Sequence, residues 1–212
     1  YCKIDEIPYD FVRKRLTIVV EDKSGQRLMV TKGSMKTVLA VCDKVTSASG
    51  PTPLDQAARA ALESLLAAKG SEGYRVLAVA RRVVPAQVDY TLADECHLEL
   101  AGLLLFADPP KPDAAQAIAD LSAMGIATKI ITGDNKEVAV HVATAIGLPP
   151  QTVLSGPEIA AMKDEALSVM AERASLFCEI DPQQKERIIL ALQKRGHTVG
   201  YMGDGINDAP AL

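Results

Sequence analysis

The pattern of apolar and polar positions changes period several times along the chain, and each change marks an element. From Leu16 to Glu21 the residues are apolar and β-branched, Asp22-Lys23-Ser24-Gly25 is a turn, and Leu28 to Thr31 is apolar again. This predicts a β-hairpin. Lys32-Gly33-Ser34 ends the second strand. Ser34 stands where it would cap a helix running through Cys42, with Val38, Leu39 and Val41 on its apolar face. The Ser/Gly/Pro/Thr stretch from Thr46 to Pro53 reads as a loop. Asp55 to Lys69 is rich in Ala and Leu, which predicts a helix closed by Gly70. Tyr74 to Val84 and His97 to Ala107 predict two further strands.

At Asp108-Pro109-Pro110 the texture changes, because two prolines stop the preceding strand. The pattern then alternates with short connections. Helices are predicted over Asp113 to Met124, Lys136 to Ile146, Pro157 to Arg173 and Pro182 to Arg195. Strands are predicted over Ala127 to Ile131, Thr152 to Leu154, Leu176 to Ile180 and Thr198 to Met202. Strands alternating with helices imply parallel βαβ crossovers, hence a doubly wound α/β sheet. The expected division is therefore residues 1–107, an antiparallel sheet with helices, and residues 108–212, a parallel-sheet domain.

Composition narrows the chemistry. The chain has 212 residues, 48% hydrophobic and 24% charged, which excludes wholesale disorder and a disulfide-dense miniprotein. Lys plus Arg number 23 against 27 Asp plus Glu, a formal charge of −4. A broad electrostatic grip on nucleic acid is therefore not expected, and 4% aromatics with no Trp argue against base-stacking platforms. The longest apolar run, Leu100 to Ala107, falls far short of the roughly 20 residues that span a bilayer. Cys2, Cys42, Cys96 and Cys178 are scattered without metal-ligand spacing and are expected to be reduced thiols. His97, His141 and His197 are expected to pack or face solvent. The chain opens Tyr1-Cys2-Lys3 and stops at Leu212 inside what reads as a helix start, so it is expected to be a piece of a longer protein.

In an open α/β sheet, ligands bind beyond the carboxyl ends of the strands. Thr132-Gly133-Asp134-Asn135, Asp181-Pro182-Gln183-Gln184-Lys185 and Gly203-Asp204-Gly205-Ile206-Asn207-Asp208 follow three predicted strands. Brought together, they supply a hydroxyl, an ammonium and a carboxylate cluster. That set suits a phosphoryl group held with Mg²⁺, a cation that takes hard oxygen ligands. Each cluster also has a structural reading. Thr-Gly-Asp serves as a turn before a helix cap, and Asp181-Pro182 is a good helix start that leaves Lys185 on a solvated face. The third is harder to read as structural, because Asp204, Asn207 and Asp208 place three oxygen donors within five positions.

Two further candidates lie upstream. Lys32-Gly33 at a strand end puts an ammonium where a phosphate could sit, with Gly33 giving clearance, or is simply an exposed turn. Tyr9, Phe11, Arg13, Lys14 and Arg15 interleave aromatics with cations, which suits an adenine and its phosphates, or a basic strand face packed by one aromatic.

In this order, these residues resemble the cytoplasmic part of a P-type ATPase. The resemblance rests on Lys32-Gly33-Ser34, a KGA-type turn, on Asp108-Pro109-Pro110, a DPP hinge, and on Thr132-Gly133-Asp134. It rests above all on Gly203-Asp204-Gly205-Ile206-Asn207-Asp208-Ala209-Pro210, a GDGxNDxP signature. The stretch Lys3 to Phe11 is most similar to the bacterial magnesium-transporting subgroup. The resemblance covers essentially the whole chain.

It implies that residues 1–107 are the later part of a nucleotide-binding domain. Tyr9 would take the place of an adenine-stacking Phe, with Phe11, Lys14, Lys32 and Gly33 near ATP. Residues 108–212 would belong to a phosphorylation domain of haloacid-dehalogenase-like fold. There Thr132 would hydrogen-bond the phosphoryl group within the TGD motif that Asp134 completes, and Lys185 would neutralise its charge. Asp204 would bind Mg²⁺, with Asn207 and Asp208 completing the site. The resemblance further implies an integral plasma-membrane pump, a transported cation that the subgroup makes Mg²⁺, and phosphoryl transfer from ATP to an Asp. The family's DKTGT segment, which carries that Asp, does not occur in this chain, so the chain alone is expected to be inactive. Val12 departs from the subgroup's Phe-Glu-Arg pattern. A calcium or proton pump, a free-standing phosphatase of the same fold and a non-catalytic nucleotide-binding module are the alternative readings.

Overall fold

Alternation of buried and exposed positions builds the first sheet. The computed structural model describes residues 1–10 and 12–203, which divide into two units. The first holds Tyr1–Lys69 and Arg75–Phe106; the second holds Gly70–Tyr74 and the chain from Ala107. In the first unit the strands are β1 (Cys2–Asp10), β2 (Arg15–Glu21), β3 (Arg27–Ser34), β4 (Cys42–Ser47), β5 (Gly50–Pro53), β6 (Tyr74–Val84) and β7 (Leu98–Ala107). They form one mixed sheet in the order β1-β2-β3-β6-β7-β4-β5. The helices are α1 (Met35–Leu39) and α2 (Gln56–Ser71), with a 3-10 turn at Leu92–Asp94.

The register explains which side chains are buried. Thr17 pairs with Thr31, and Thr31 with Ala80; Val19 pairs with Met29. All of these are buried on one face, whereas Ile18, Val30 and Arg81 in the intervening row point to the other. Ala58, Leu62 and Leu66 of α2 pack against that core together with Met35, Val38 and Leu39. Burial of a side chain such as Met29 contributes about 1.5–3 kcal/mol.

Several expectations for this unit are corrected. Residues 46–53 are a hairpin rather than a loop, with Val45 opposite Thr52 and Ser47 opposite Gly50. Its β-branched residues pair, Gly50 takes the turn at φ +109, and Pro51 and Pro53 are tolerated on the sheet's last strand, where a missing N–H costs little. The α1 helix stops at Leu39 rather than Cys42, because Val41 accepts a bond from the Leu98 N–H and Cys42 begins β4. Ser34 does not cap it through its side chain. Gly70 does not end α2; the left-handed position is Gly73, φ +86. Residues 2–10 form an edge strand that periodicity alone does not mark, with Pro8 on it.

The second unit contains α3 (Ala114–Ala123), β8 (Ile130–Ile131), α4 (Lys136–Ala145), β9 (Val153–Ser155), α5 (Gly156–Ala161), α6 (Asp164–Arg173), β10 (Leu176–Cys178) and α7 (Pro182–Lys194). The strands make a parallel sheet in the order β8-β10-β9. Helices cover both faces. Leu176 and Cys178 pack with Ala139 and Ala143 of α4, while Phe177 faces Ile159, Leu167, Ala171 and Ile188.

The second unit departs from the expected pattern in two places. Residues 198–203 form no strand, and no described segment pairs with them. The predicted helix 157–173 is broken at Met162-Lys163. Arg187 of α7 fills that break: Nη1 donates to the Ile159 carbonyl at 2.7 Å, Nη2 to the Met162 carbonyl at 2.5 Å, and Nε to Asp164 Oδ1 at 2.9 Å. The Ile159 carbonyl also accepts from the Met162 N–H at 3.2 Å, so Arg187 adds its donors to carbonyls at the C-terminal end of α5. Arg187→Ala should therefore lower stability by about 2 kcal/mol in chemical denaturation, and Arg187→Lys, which lacks the planar fork, should restore less than half of it.

Candidate functional site

In the first unit the candidate residues gather at one corner of the sheet. Asp10, Arg15, Gly33 and Ala78 form a single row across β1, β2, β3 and β6. Tyr9 precedes that row on β1 and is 49% exposed. Lys32 lies one position along β3, opposite Leu16, and is exposed. Lys14 caps the corner in a left-handed conformation, φ +49, unusual for a residue with a side chain. Its N–H donates to the Asp10 carbonyl at 2.8 Å and its carbonyl accepts from Ser34 N–H at 2.9 Å. Phe11 lies outside the described residues. Tyr9, Lys14 and Lys32 thus lie at the same corner of the sheet, with β2 between the strands that carry Tyr9 and Lys32.

Gly33 has a different physical reason from the one its sequence suggests. A Cβ placed there would stand 2.4 Å from the Lys14 carbonyl oxygen and 2.4 Å from the Arg15 Cβ. The absence of a side chain is required by the neighbouring strand, whether or not a ligand approaches.

Beneath this corner lies a group that sequence reading missed. Glu95 follows the 3-10 turn, and its side chain is fully buried. Arg13 Nη1 donates to both carboxylate oxygens at 2.8 Å, Arg15 Nε donates at 2.8 Å and Thr17 Oγ1 at 2.7 Å. Burial alone would push this carboxyl up, but the bonds from Thr17, Arg13 and Arg15 outweigh it and hold the group below the ordinary glutamate range. The available signal was the pair Arg15 and Thr17 on the face of β2 that the apolar alternation buries, where a cation needs a partner of opposite charge.

In the second unit, the loops after β8 and β10 are laced together at the carboxyl ends of adjacent parallel strands. The Ile180 N–H donates to the Thr132 carbonyl at 3.0 Å and the Glu179 N–H to the Asp134 carbonyl at 2.8 Å. Glu179 adopts φ +57, which ends β10 two residues before the sequence predicts. Thr132 Oγ1 donates to Asp134 Oδ2 at 2.9 Å and accepts from the Asp134 N–H at 3.1 Å. Asn135 caps α4 through Val138 N–H. Asp181 caps α7 in a reciprocal box with Gln184, placing Lys185 in the first turn of that helix. The N-termini of α4 and α7, with Thr132, Asp134 and the Lys185 position, therefore lie at the carboxyl end of the sheet, where helix N-termini favour an anion. Gly156 also approaches closely, since a Cβ there would meet the Glu179 carbonyl oxygen at 2.3 Å.

Asp204, Asn207 and Asp208 lie outside the described residues. Among the described residues no cluster of His, Cys, Asp and Glu is arranged to hold a metal ion. The cysteines are unbridged, and burial pushes the Cys42 and Cys178 thiols up to about 11, where they are inert. No helix among the described residues is long and apolar enough to cross a membrane.

Comparison with known proteins adds the family. Residues 1–113 match the sequence family described as P-type ATPase, cytoplasmic domain N. The chain is 43% identical over 99% of its length to the "Magnesium-transporting ATPase, P-type 1" of Salmonella typhimurium strain LT2, covering 23% of that protein. It is 42% identical over 99% of its length to the protein of the same name from Escherichia coli K12, covering 24% of it. It is 32% identical over its whole length to the "Calcium-transporting ATPase" of Bacillus subtilis, again covering 24%. The chain thus spans about a quarter of the length of these relatives. With the matched family covering residues 1–113, this chain belongs to the P-type ATPases and carries their cytoplasmic domain N.

Proposed function

We propose that this chain serves the ATP-handling cytoplasmic part of a magnesium-transporting P-type pump of the plasma membrane. Residues 1–107 act as nucleotide-binding domain and residues 108–212 as a haloacid-dehalogenase-like phosphorylation domain. The observation that supports the reading is the lacing of the Thr132 loop to the loop before α7, which brings Thr132, the first turn of α7 that holds Lys185, and two helix N-termini to the carboxyl end of the parallel sheet. Higher identity to relatives named magnesium-transporting than to one named calcium-transporting supports magnesium as cargo.

In this reading Tyr9 stacks on adenine, while Lys14 and Lys32 meet the phosphates. Thr132 turns its hydroxyl from Asp134 to the phosphoryl group, and Lys185 neutralises the charge that develops there. The donor set Asp204, Asn207 and Asp208 fits Mg²⁺, whose charge would further shield the phosphoryl oxygens. The residues of this chain position and stabilise, and the acceptor Asp belongs to a DKTGT segment that this sequence does not contain.

Calorimetric titration with ATP, with and without Mg²⁺, beside a phosphate-release assay, tests the reading. Binding without turnover is expected. Sustained phosphate release by the purified chain would overturn it in favour of a free-standing phosphatase, and absence of ATP binding would remove the roles of Tyr9, Lys14 and Lys32.

A further inference from the structure

The proposed nucleotide corner is an exposed turn, yet Lys14 is held there in a left-handed conformation that costs roughly 1 kcal/mol or more for a residue with a Cβ. Such a conformation persists only where its surroundings impose it. The bonds around the turn identify what does so. Asp10 Oδ1 accepts from the Val12 N–H at 2.8 Å and the Arg13 N–H at 2.7 Å, and Asp10 Oδ2 pairs with Arg13 Nε. Arg13 Nη2 donates to the Pro8 carbonyl at 2.6 Å, tying the turn to the end of β1. Arg15 Nη1 donates to the Thr37 carbonyl at 3.0 Å, tying the other side of the turn to α1. Both guanidinium groups then converge on Glu95, the buried carboxylate.

Resting on the nucleotide reading of this corner, we propose that Glu95 is a positioning residue for ATP binding. It fixes Arg13 and Arg15 from below and thereby sets the turn that presents Tyr9 and Lys14. Glu95 itself touches no nucleotide. Its side chain is wholly enclosed, and Arg13, Arg15 and Thr17 take up both of its oxygens. Thr31 completes the set by bonding Thr17 Oγ1 at 2.7 Å from the next strand. The charges of Asp10, Glu95, Arg13 and Arg15 cancel, so the cluster holds the turn without adding a net charge that would repel phosphate. Neutralising Glu95 leaves the two guanidinium groups without their shared anchor, and Lys14 loses the geometry that aims it.

The test uses the full chain, ATP as ligand, and two readouts. Glu95→Gln is expected to weaken ATP binding about tenfold in calorimetry, the scale of a single charge-assisted hydrogen bond, with the far-UV spectrum retained. It should also speed amide exchange of Lys14 and Ser34, whose N–H groups close the turn, while Val19 in the middle of β2 stays protected. In a double-mutant cycle, Glu95→Gln should have a smaller effect on affinity once Lys14 is alanine, because part of its effect acts through Lys14. Arg13→Lys, which keeps the charge but not the bidentate fork, repeats the test should Glu95→Gln fold poorly. If Lys14→Ala leaves ATP affinity unchanged, the nucleotide reading of the corner fails and the inference falls with it. If Lys14→Ala weakens binding but Glu95→Gln does not, or if the two effects simply add, the reading stands and the role of Glu95 is overturned.

Discussion

Gly33→Val should strip the first unit of about 3 kcal/mol or more, enough to lower its melting temperature by roughly 10 °C. The expected cause is the clash of a new Cβ with the Lys14 carbonyl oxygen and the Arg15 backbone, with two additional methyl groups to accommodate. Because the obstacle is backbone of a paired strand, the neighbour can yield only by breaking the Arg15–Gly33 register. Gly102→Val is the control, since a Cβ at Gly102 meets nothing within 4 Å. Thermal denaturation of both variants checks the expectation, and equal melting temperatures would refute it. The result also bears on function. Lost ATP binding in Gly33→Val follows from unfolding of the corner, so the nucleotide role of this strand end is to be tested at Lys32, whose exposed side chain can be removed without that clash.

The second large effect is expected for Glu95→Ala. Removing the carboxylate leaves Arg13 and Arg15 partly buried, with 16% and 14% of their side chains exposed, and leaves Thr17 without its acceptor. Breaking a buried pair from one side typically costs about 3–5 kcal/mol. The pH dependence gives this prediction its signature. The folded-state carboxyl is held below its ordinary value of 4.5, so the stabilisation is fully present above that value and is lost as pH falls through the depressed folded-state value. The groups facing it are the guanidinium groups of Arg13 and Arg15, with Asp10 as the acid beyond them. The stability gap between wild type and Glu95→Ala should therefore be constant near neutrality and narrow in acid. Urea denaturation at neutral pH and again in acid below the ordinary glutamate value measures it. A gap that does not change with pH would show that packing, rather than the charge cluster, accounts for the loss.

The two effects have a common origin at the sheet corner, where β1 turns into β2 and meets the end of β3. Gly33 lets the strands approach, and Glu95 holds the turn that follows. Neither residue presents itself as important by its type alone. A glycine after a lysine reads as clearance for a ligand, and a glutamate in a polar loop reads as solvated. What distinguishes them is a partner far along the chain: Glu95 lies 82 positions from Arg13 and 80 from Arg15.

Local signals nonetheless carry much of the fold. The strands predicted over 16–21 and 74–84 and the helices α4 and α7 follow from periodicity and caps, because each of these elements buries one regular face. The Thr132 and Asp181 clusters are legible as helix starts at strand ends, and both are. The segments that mislead are those whose conformation depends on a neighbour. Residues 46–53 are rich in turn-forming types but pair as a hairpin alongside β7. Cys42 leaves helical periodicity because β7 claims it as strand, and Met162-Lys163 breaks a continuous helical pattern because Arg187 supplies donors to the carbonyls there. Residues 198–202 carry a strand pattern without a strand, since a ladder needs a second chain segment to bond.

The sequence by itself determined the class of most elements, the boundary texture at Asp108-Pro109-Pro110, and the ordered motifs that resemble the P-type ATPases, because these rest on local periodicity and on residue chemistry at fixed spacing. Only the tertiary structure decided that Thr132 and Lys185 share one end of a sheet, that Gly33 is required by strand packing, and that a buried Glu95 anchors Arg13 and Arg15. Those outcomes depend on pairings between distant segments, and no local pattern specifies which segment will be the neighbour.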